Sequence, residues 1–231
     1  MRGGFIEMEL TKIFYIWTFL FLSGMMIGTP GGTAYADVGG GQKMYEAKGC
    51  GSCHMTKGPN TDKSFEDKLS HKGPDLWFAG SKFKKEWLAK WLQAPKPIRT
   101  MAYNSIEKKN AGDHPKLSGK EADDVTDYLM TLTSKDVVTG TIKAKNDLMG
   151  KMVFEKKQGC YGCHLSKRGA KVAGGVTGPS LVDAGQRLQG DWIYTYLSKP
   201  QAVIPVKRMP TYSGVLTDAE LKGLAAYVAS F

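Results

Sequence analysis

All four cysteines of this 231-residue chain stand in two copies of one pentapeptide, Cys50-Gly51-Ser52-Cys53-His54 and Cys160-Tyr161-Gly162-Cys163-His164. At this spacing two thiols add across the vinyl groups of a porphyrin while the adjacent imidazole takes the iron from below. Disulfides, a redox dithiol or a four-cysteine zinc site could use the same cysteines, but a zinc site has no need of a histidine after each pair. The reading is therefore two covalently bound haem c groups. Cys50 and Cys53 anchor one and Cys160 and Cys163 the other, with His54 and His164 on the irons. A chain built this way must fold around two flat, rigid cofactors.

The N-terminus reads as an export signal rather than as part of that fold. Ile13 to Ile27 is an almost unbroken apolar run behind Arg2 and Lys12, followed by Thr29-Pro30-Gly31-Gly32 and then Ala34-Tyr35-Ala36. A basic start, a short apolar stretch, a breaker and a small-x-small site make up a secretory signal. The run is short for a membrane span. Residues 1–36 are expected to be removed, with an uncleaved membrane anchor as the alternative. Either way the rest is periplasmic or otherwise extracytoplasmic, where haem of this type is attached. The formal charge is +10. Export and haem leave no role for nucleic acid, so the basic surface points to redox partners with acidic docking faces or to the membrane surface.

Superimposing the two motifs brings the remaining sequence into register. Met44-Tyr45-Glu46 answers Val153-Phe154-Glu155, Gly73-Pro74-Asp75-Leu76 answers Gly178-Pro179-Ser180-Leu181, and Trp87-Leu88 answers Trp192-Ile193. Near the end of each copy, Ser118 to Glu121 and Thr217 to Glu220 form capping boxes that start a helix. Ala122, Val125, Leu129 and Leu132 then share one helical face, as do Leu221, Leu224, Val228 and Phe231. The chain is one unit written twice, 37–133 and 148–231. Residues 134–147 (SKDVVTGTIKAKND) have no clear amphipathic period and read as a linker. Sixteen positions separate Met101 from Leu117 but seven separate Met209 from Leu216. The first unit thus carries an extra loop around Asn104 to Asp113. Strand signals are few, and three to five helices are expected around each haem.

The sixth ligand decides whether an iron passes electrons or binds small molecules. Met101 and Met209 hold equivalent places, 47 and 45 residues after their haem histidines. Both lie in proline-rich loops free to lay a thioether on the iron, and they are the expected ligands. Met55 follows His54 directly and cannot reach the opposite haem face, while Met44, Met130, Met149 and Met152 read as core residues. His114, in the extra loop, is the most credible rival to Met101, and His71 is a weaker one. Otherwise both histidines read as ordinary surface residues.

The order Cys-x-x-Cys-His, Gly-Pro-x-Leu, Trp-Leu/Ile, methionine loop and capped C-terminal helix resembles class I cytochrome c. The tandem arrangement is similar to the dihaem cytochromes, including the cytochrome c4 group. The resemblance implies an all-α fold of two tandem class I cytochrome c-type helical domains. It places Cys50, Cys53, His54 and Met101 on one haem and Cys160, Cys163, His164 and Met209 on the other. It also gives Pro74 and Pro179 carbonyls that orient the proximal imidazoles. Trp87, Trp91 and Trp192 read as porphyrin-edge or core residues, and Arg99, Lys207 or Arg208 as partners of the haem propionates. The function expected is electron transfer between respiratory redox partners, with no catalytic residue and no small-molecule substrate. The alternative is a fixed dihaem electron-transfer subunit of a larger membrane-associated oxidoreductase complex.

Overall fold

Each copy of the repeat opens with a helix that delivers the chain to its haem motif. The computed structural model describes residues 38–231, so the segment read as an export signal lies outside the described residues. The delivering helix is α1 (Val38–Ala47) in the first half. In the second half it is α6 (Leu148–Met152), which continues as a wider π turn over Val153–Lys157. The first half then adds α2 (Phe65–Ser70), α3 (Ala79–Lys82) and α4 (Lys85–Gln93), and closes with α5 (Gly119–Thr131). The second half follows with α7 (Ala184–Arg187), α8 (Gly190–Ser198) and the closing helix α9 (Asp218–Val228). Both capping boxes are formed. Ser118 and Thr217 take the N–H of the third helical residue, and Glu121 and Glu220 take the N–H of the cap.

The opening and closing helices of each half cross at a glycine. A Cβ on Gly41 would lie 2.1 Å from the Asp124 carbonyl oxygen, and one on Gly150 would lie 2.0 Å from that of Gly223. No larger residue fits where the backbones approach so closely. Beside each crossing an aromatic pair closes the gap, Tyr45 with Tyr128 at 5.5 Å and Phe154 with Tyr227 at 5.7 Å between ring centres. These four rings occupy matching places in the repeat, so the same packing solution is built twice.

The structure departs from the helical expectation at one place. Ser166–Arg168 (β1) and Lys171–Ala173 (β2) form a short antiparallel hairpin directly after the second haem motif. The methionines expected in the core also divide. Met44 packs against it, but Met149 and Met152 are exposed because they fall on the outer side of a helix only five residues long.

The two halves share one continuous apolar core. At their boundary Phe83 and Leu188 pair as an antiparallel bridge, flanked by backbone bonds from Lys84 to Arg187 (3.0 Å) and from Gln189 to Lys82 (2.9 Å). The segment 134–147 has no helix or strand, yet it is pinned throughout. Ser134 N–H donates to Ser81 Oγ, and the buried Asp191 carboxylate accepts from the N–H groups of Gly140, Thr141 and Ile142 at 2.8 to 2.9 Å.

Candidate haem sites

The haem motifs are tight turns. Cys50–Ser52 and Cys160–Gly162 each form one turn of 3₁₀ helix, and the amides of His54 and His164 donate back to Cys50 and Cys160 at 3.1 Å. Both cysteines and the histidine of each motif thereby sit within one turn of backbone. All four cysteines are free thiols. Burial pushes the Cys50 thiol up and that of Cys160 to about 11. That disfavours the free thiolate that dithiol exchange requires.

The two histidines are held alike. His54 Nδ1 lies 2.8 Å from the Pro74 carbonyl oxygen, and His164 Nδ1 lies 2.7 Å from that of Pro179. A carbonyl only accepts, so Nδ1 carries the proton and Nε2 keeps its lone pair for a metal. Burial pushes both imidazoles below their usual pKa, with the carbonyl bonds opposing it. The neutral, ligating form is thus favoured at neutral pH. A glycine precedes each proline for a steric reason. A Cβ on Gly73 would lie 2.7 Å from His54 Cε1, and one on Gly178 would lie 2.6 Å from His164 Cε1.

The loops carrying these carbonyls are braced differently. In the first half His71 stands between two carboxylates, Nε2 at 2.9 Å from Asp62 and Nδ1 at 3.5 Å from Asp75, and Asn60 donates to both acids. His71 is therefore neither a surface residue nor free to bind iron, and the network fixes Asp75 next to Pro74. In the second half part of the support comes from the other copy. Ser180 N–H donates to the Ile98 carbonyl at 2.8 Å, and Arg187 donates to the Ser180 carbonyl at 2.7 Å. Conversely, Arg208 beside Met209 donates to the Asn104 carbonyl of the first half. Each methionine loop thus touches the opposite copy.

Met101 is buried, in a loop whose strands are tied by Ala102 to Lys108 and Asn110 to Thr100. Met209 is half-buried against the core. His114 lies beside His54, with ring centres 6.1 Å apart, and against Trp91 at 4.7 Å.

Whether these sites suit haem can be judged from unused hydrogen-bond donors. The indole N–H groups of Trp77 and Trp192 are buried without a partner. Among the described residues, Lys82, Arg99 and Arg187 have no acidic side chain within ion-pair distance. Burial, together with Arg187 and Arg99, holds the Lys82 amine down to about 7, and burial holds Arg187 down to about 10. Buried donors without an acceptor and cations without a counter-charge call for an acid partner. The propionates of haem are such partners, so the residues fit the group. Of the cations expected in this role, Lys207 donates instead to the Met209 carbonyl and Thr211, and Arg208 to Asn104. Sequence patterns do not single out Lys82 and Arg187. The one signal that could have found them is a cation five residues before Trp87 and again before Trp192.

Residues 39–133 match the cytochrome c family, and residues 146–228 match the family described as cytochrome c oxidase, cbb3-type, subunit III. This chain is a tandem dihaem cytochrome c. A curated relative, the cbb3-type cytochrome c oxidase subunit CcoP of Azospirillum sp. (strain B510), is 34% identical over 117 residues. The match covers 48% of this chain and 36% of the relative. No solved structure matches it significantly. Its two cytochrome c domains imply two covalently bound haem c groups. No helix among its described residues is long and apolar enough to cross a membrane.

Proposed function

We propose that this cytochrome c is an exported electron relay, taking electrons from one respiratory redox partner and passing them to another through two haems held by equivalent halves. Cys50 and Cys53 form the thioethers of the first haem, and Cys160 and Cys163 those of the second. His54 and His164 are the proximal ligands, and Met209 is the distal ligand of the second haem. Met101 and His114 are the two candidates at the first. The observation carrying this reading is the matched pair of Nδ1–carbonyl bonds to Pro74 and Pro179, which leaves one metal-binding nitrogen on each motif histidine.

Haem supplies reversible one-electron chemistry, and the protein's part is to hold it with little rearrangement. The proximal carbonyls keep each imidazole in one tautomer and orientation. Lys82, Arg99 and Arg187 neutralise propionates in the boundary region, and methionine ligation favours ferrous iron. The pairing of the halves at Phe83 and Leu188 supports electron exchange within one molecule rather than between two tethered domains. Residues 1–36 act as the export signal, and the +10 charge draws the protein to acidic docking faces.

A second reading is favoured by the subunit III match over 146–228 and by the oxidase-subunit relative: a fixed electron-entry subunit of a membrane-associated oxidoreductase. A spectroscopic redox titration tests the relay. Two reversible one-electron waves and no reaction of the reduced protein with carbon monoxide at neutral pH are expected, and a carbon monoxide adduct would count against it. Size-exclusion of membrane and soluble fractions then separates a free relay from a subunit.

A further inference from the structure

The geometry points to His114, rather than Met101, as the sixth ligand of the first haem, making that iron bis-histidine ligated while the second is histidine–methionine ligated. This rests on the relay reading and specifies its two sites. A metal–imidazole bond of about 2.0 Å, plus about 1.1 Å from nitrogen to ring centre, puts two axial imidazoles on one iron roughly 6 Å apart. The His54 and His114 ring centres are 6.1 Å apart with the rings tilted by 43°. Direct stacking of two imidazoles would bring them nearer.

The tautomers agree as well. His114 Nδ1 lies 2.9 Å from the Pro115 carbonyl oxygen, as His54 Nδ1 lies 2.8 Å from that of Pro74. Both rings therefore carry their proton on Nδ1 and keep Nε2 free for iron. His114 is also positioned from behind. Its ring lies on Trp91, which stacks on Trp87 at 5.8 Å and donates its indole N–H to the Lys96 carbonyl at 2.9 Å. The stretch between Met101 and Leu117, nine residues longer than its counterpart in the second half, supplies this histidine.

Histidine–methionine ligation raises a haem potential, so the first haem sits below the second and electrons run from the first half to the second.

The test counts ligands spectroscopically in the intact, fully haem-loaded chain. The expected ferric protein shows the far-red methionine–iron band from one haem in two and the signals of one bis-imidazole low-spin iron. Met101→Ala leaves both unchanged, Met209→Ala abolishes the far-red band, and His114→Ala opens one haem to carbon monoxide. A far-red band from both haems, or its halving by Met101→Ala, overturns the inference while leaving the relay intact. Carbon monoxide binding to the reduced wild-type protein overturns both. Should His114→Ala fail to fold, the wild-type band count and Met101→Ala decide alone.

Discussion

Gln189 holds the backbone of Phe83 across the boundary between the two halves. Its side-chain Nε2 donates to the Phe83 carbonyl at 2.9 Å and to that of Gly80 at 2.6 Å. At the same repeat position the first half has Lys84, so the contact is not reciprocated and the symmetry of the pairing is broken here. Gln189→Leu leaves two carbonyls facing an apolar side chain. A loss of about 1–3 kcal/mol is expected in chemical denaturation. An unchanged midpoint would mean that water reaches both carbonyls.

Gly178→Ala places a methyl 2.6 Å from His164 Cε1. The imidazole must turn off the Pro179 carbonyl or the loop must move. We expect a shifted potential and a weakened far-red band at the second haem only, with the first haem unaltered. Gly73→Ala should shift the potential of the first haem and leave the far-red band in place.

Lys82 tests the propionate assignment through pH. Without an acid partner its amine is held down to about 7, mainly by burial. It would then lose its charge as pH rises through that value, and the nearby haem potential would fall. With a propionate against it the amine stays charged, and a potential flat between about pH 6 and 8 is expected. Lys82→Met should lower that potential by an amount on the order of 1–2 kcal/mol, because a lost positive charge favours ferric iron. A wild-type potential that drops through neutral pH would remove the propionate partner.

The closing helices make the fold acid-sensitive. The ion pair to Lys48 and the Ser118 N–H pull Glu121 from the ordinary 4.5 to about 2, and Lys157 and the Thr217 N–H do the same for Glu220. A depressed carboxyl contributes stability above its unfolded pKa and loses it as pH falls through the folded one. Stability should therefore decline between about pH 4.5 and 2. Glu121→Gln together with Glu220→Gln should flatten that decline, as followed by helical circular dichroism. Thr217→Ala should cost about 1 kcal/mol at neutral pH through loss of the cap.

The haem motifs, the two capping boxes and the paired Gly-Pro segments are local patterns, legible in the sequence because their chemistry depends on neighbours a few residues away. Pro74 and Pro179 stand out because the same dipeptide recurs at the same place in both units. The hairpin at 166–173 is not legible, since three-residue strands such as Ser-Lys-Arg carry no alternation. His71 misleads for another reason. Its carboxylate partners Asp62 and Asp75 come from either side of it, and nothing in the spacing says that they converge.

The sequence by itself determined the covalent chemistry, the duplication and the helix ends, because each of these is written in short-range spacing. Only the tertiary structure decided what long-range folding brings together: His114 beside His54, Ile98 beneath Ser180, and Lys82 near Arg187 with neither cation in an ion pair among the described residues. Those meetings depend on how helices cross and loops return. The apolar core and the steric limits at Gly41 and Gly150 set that path, and no window of residues contains it.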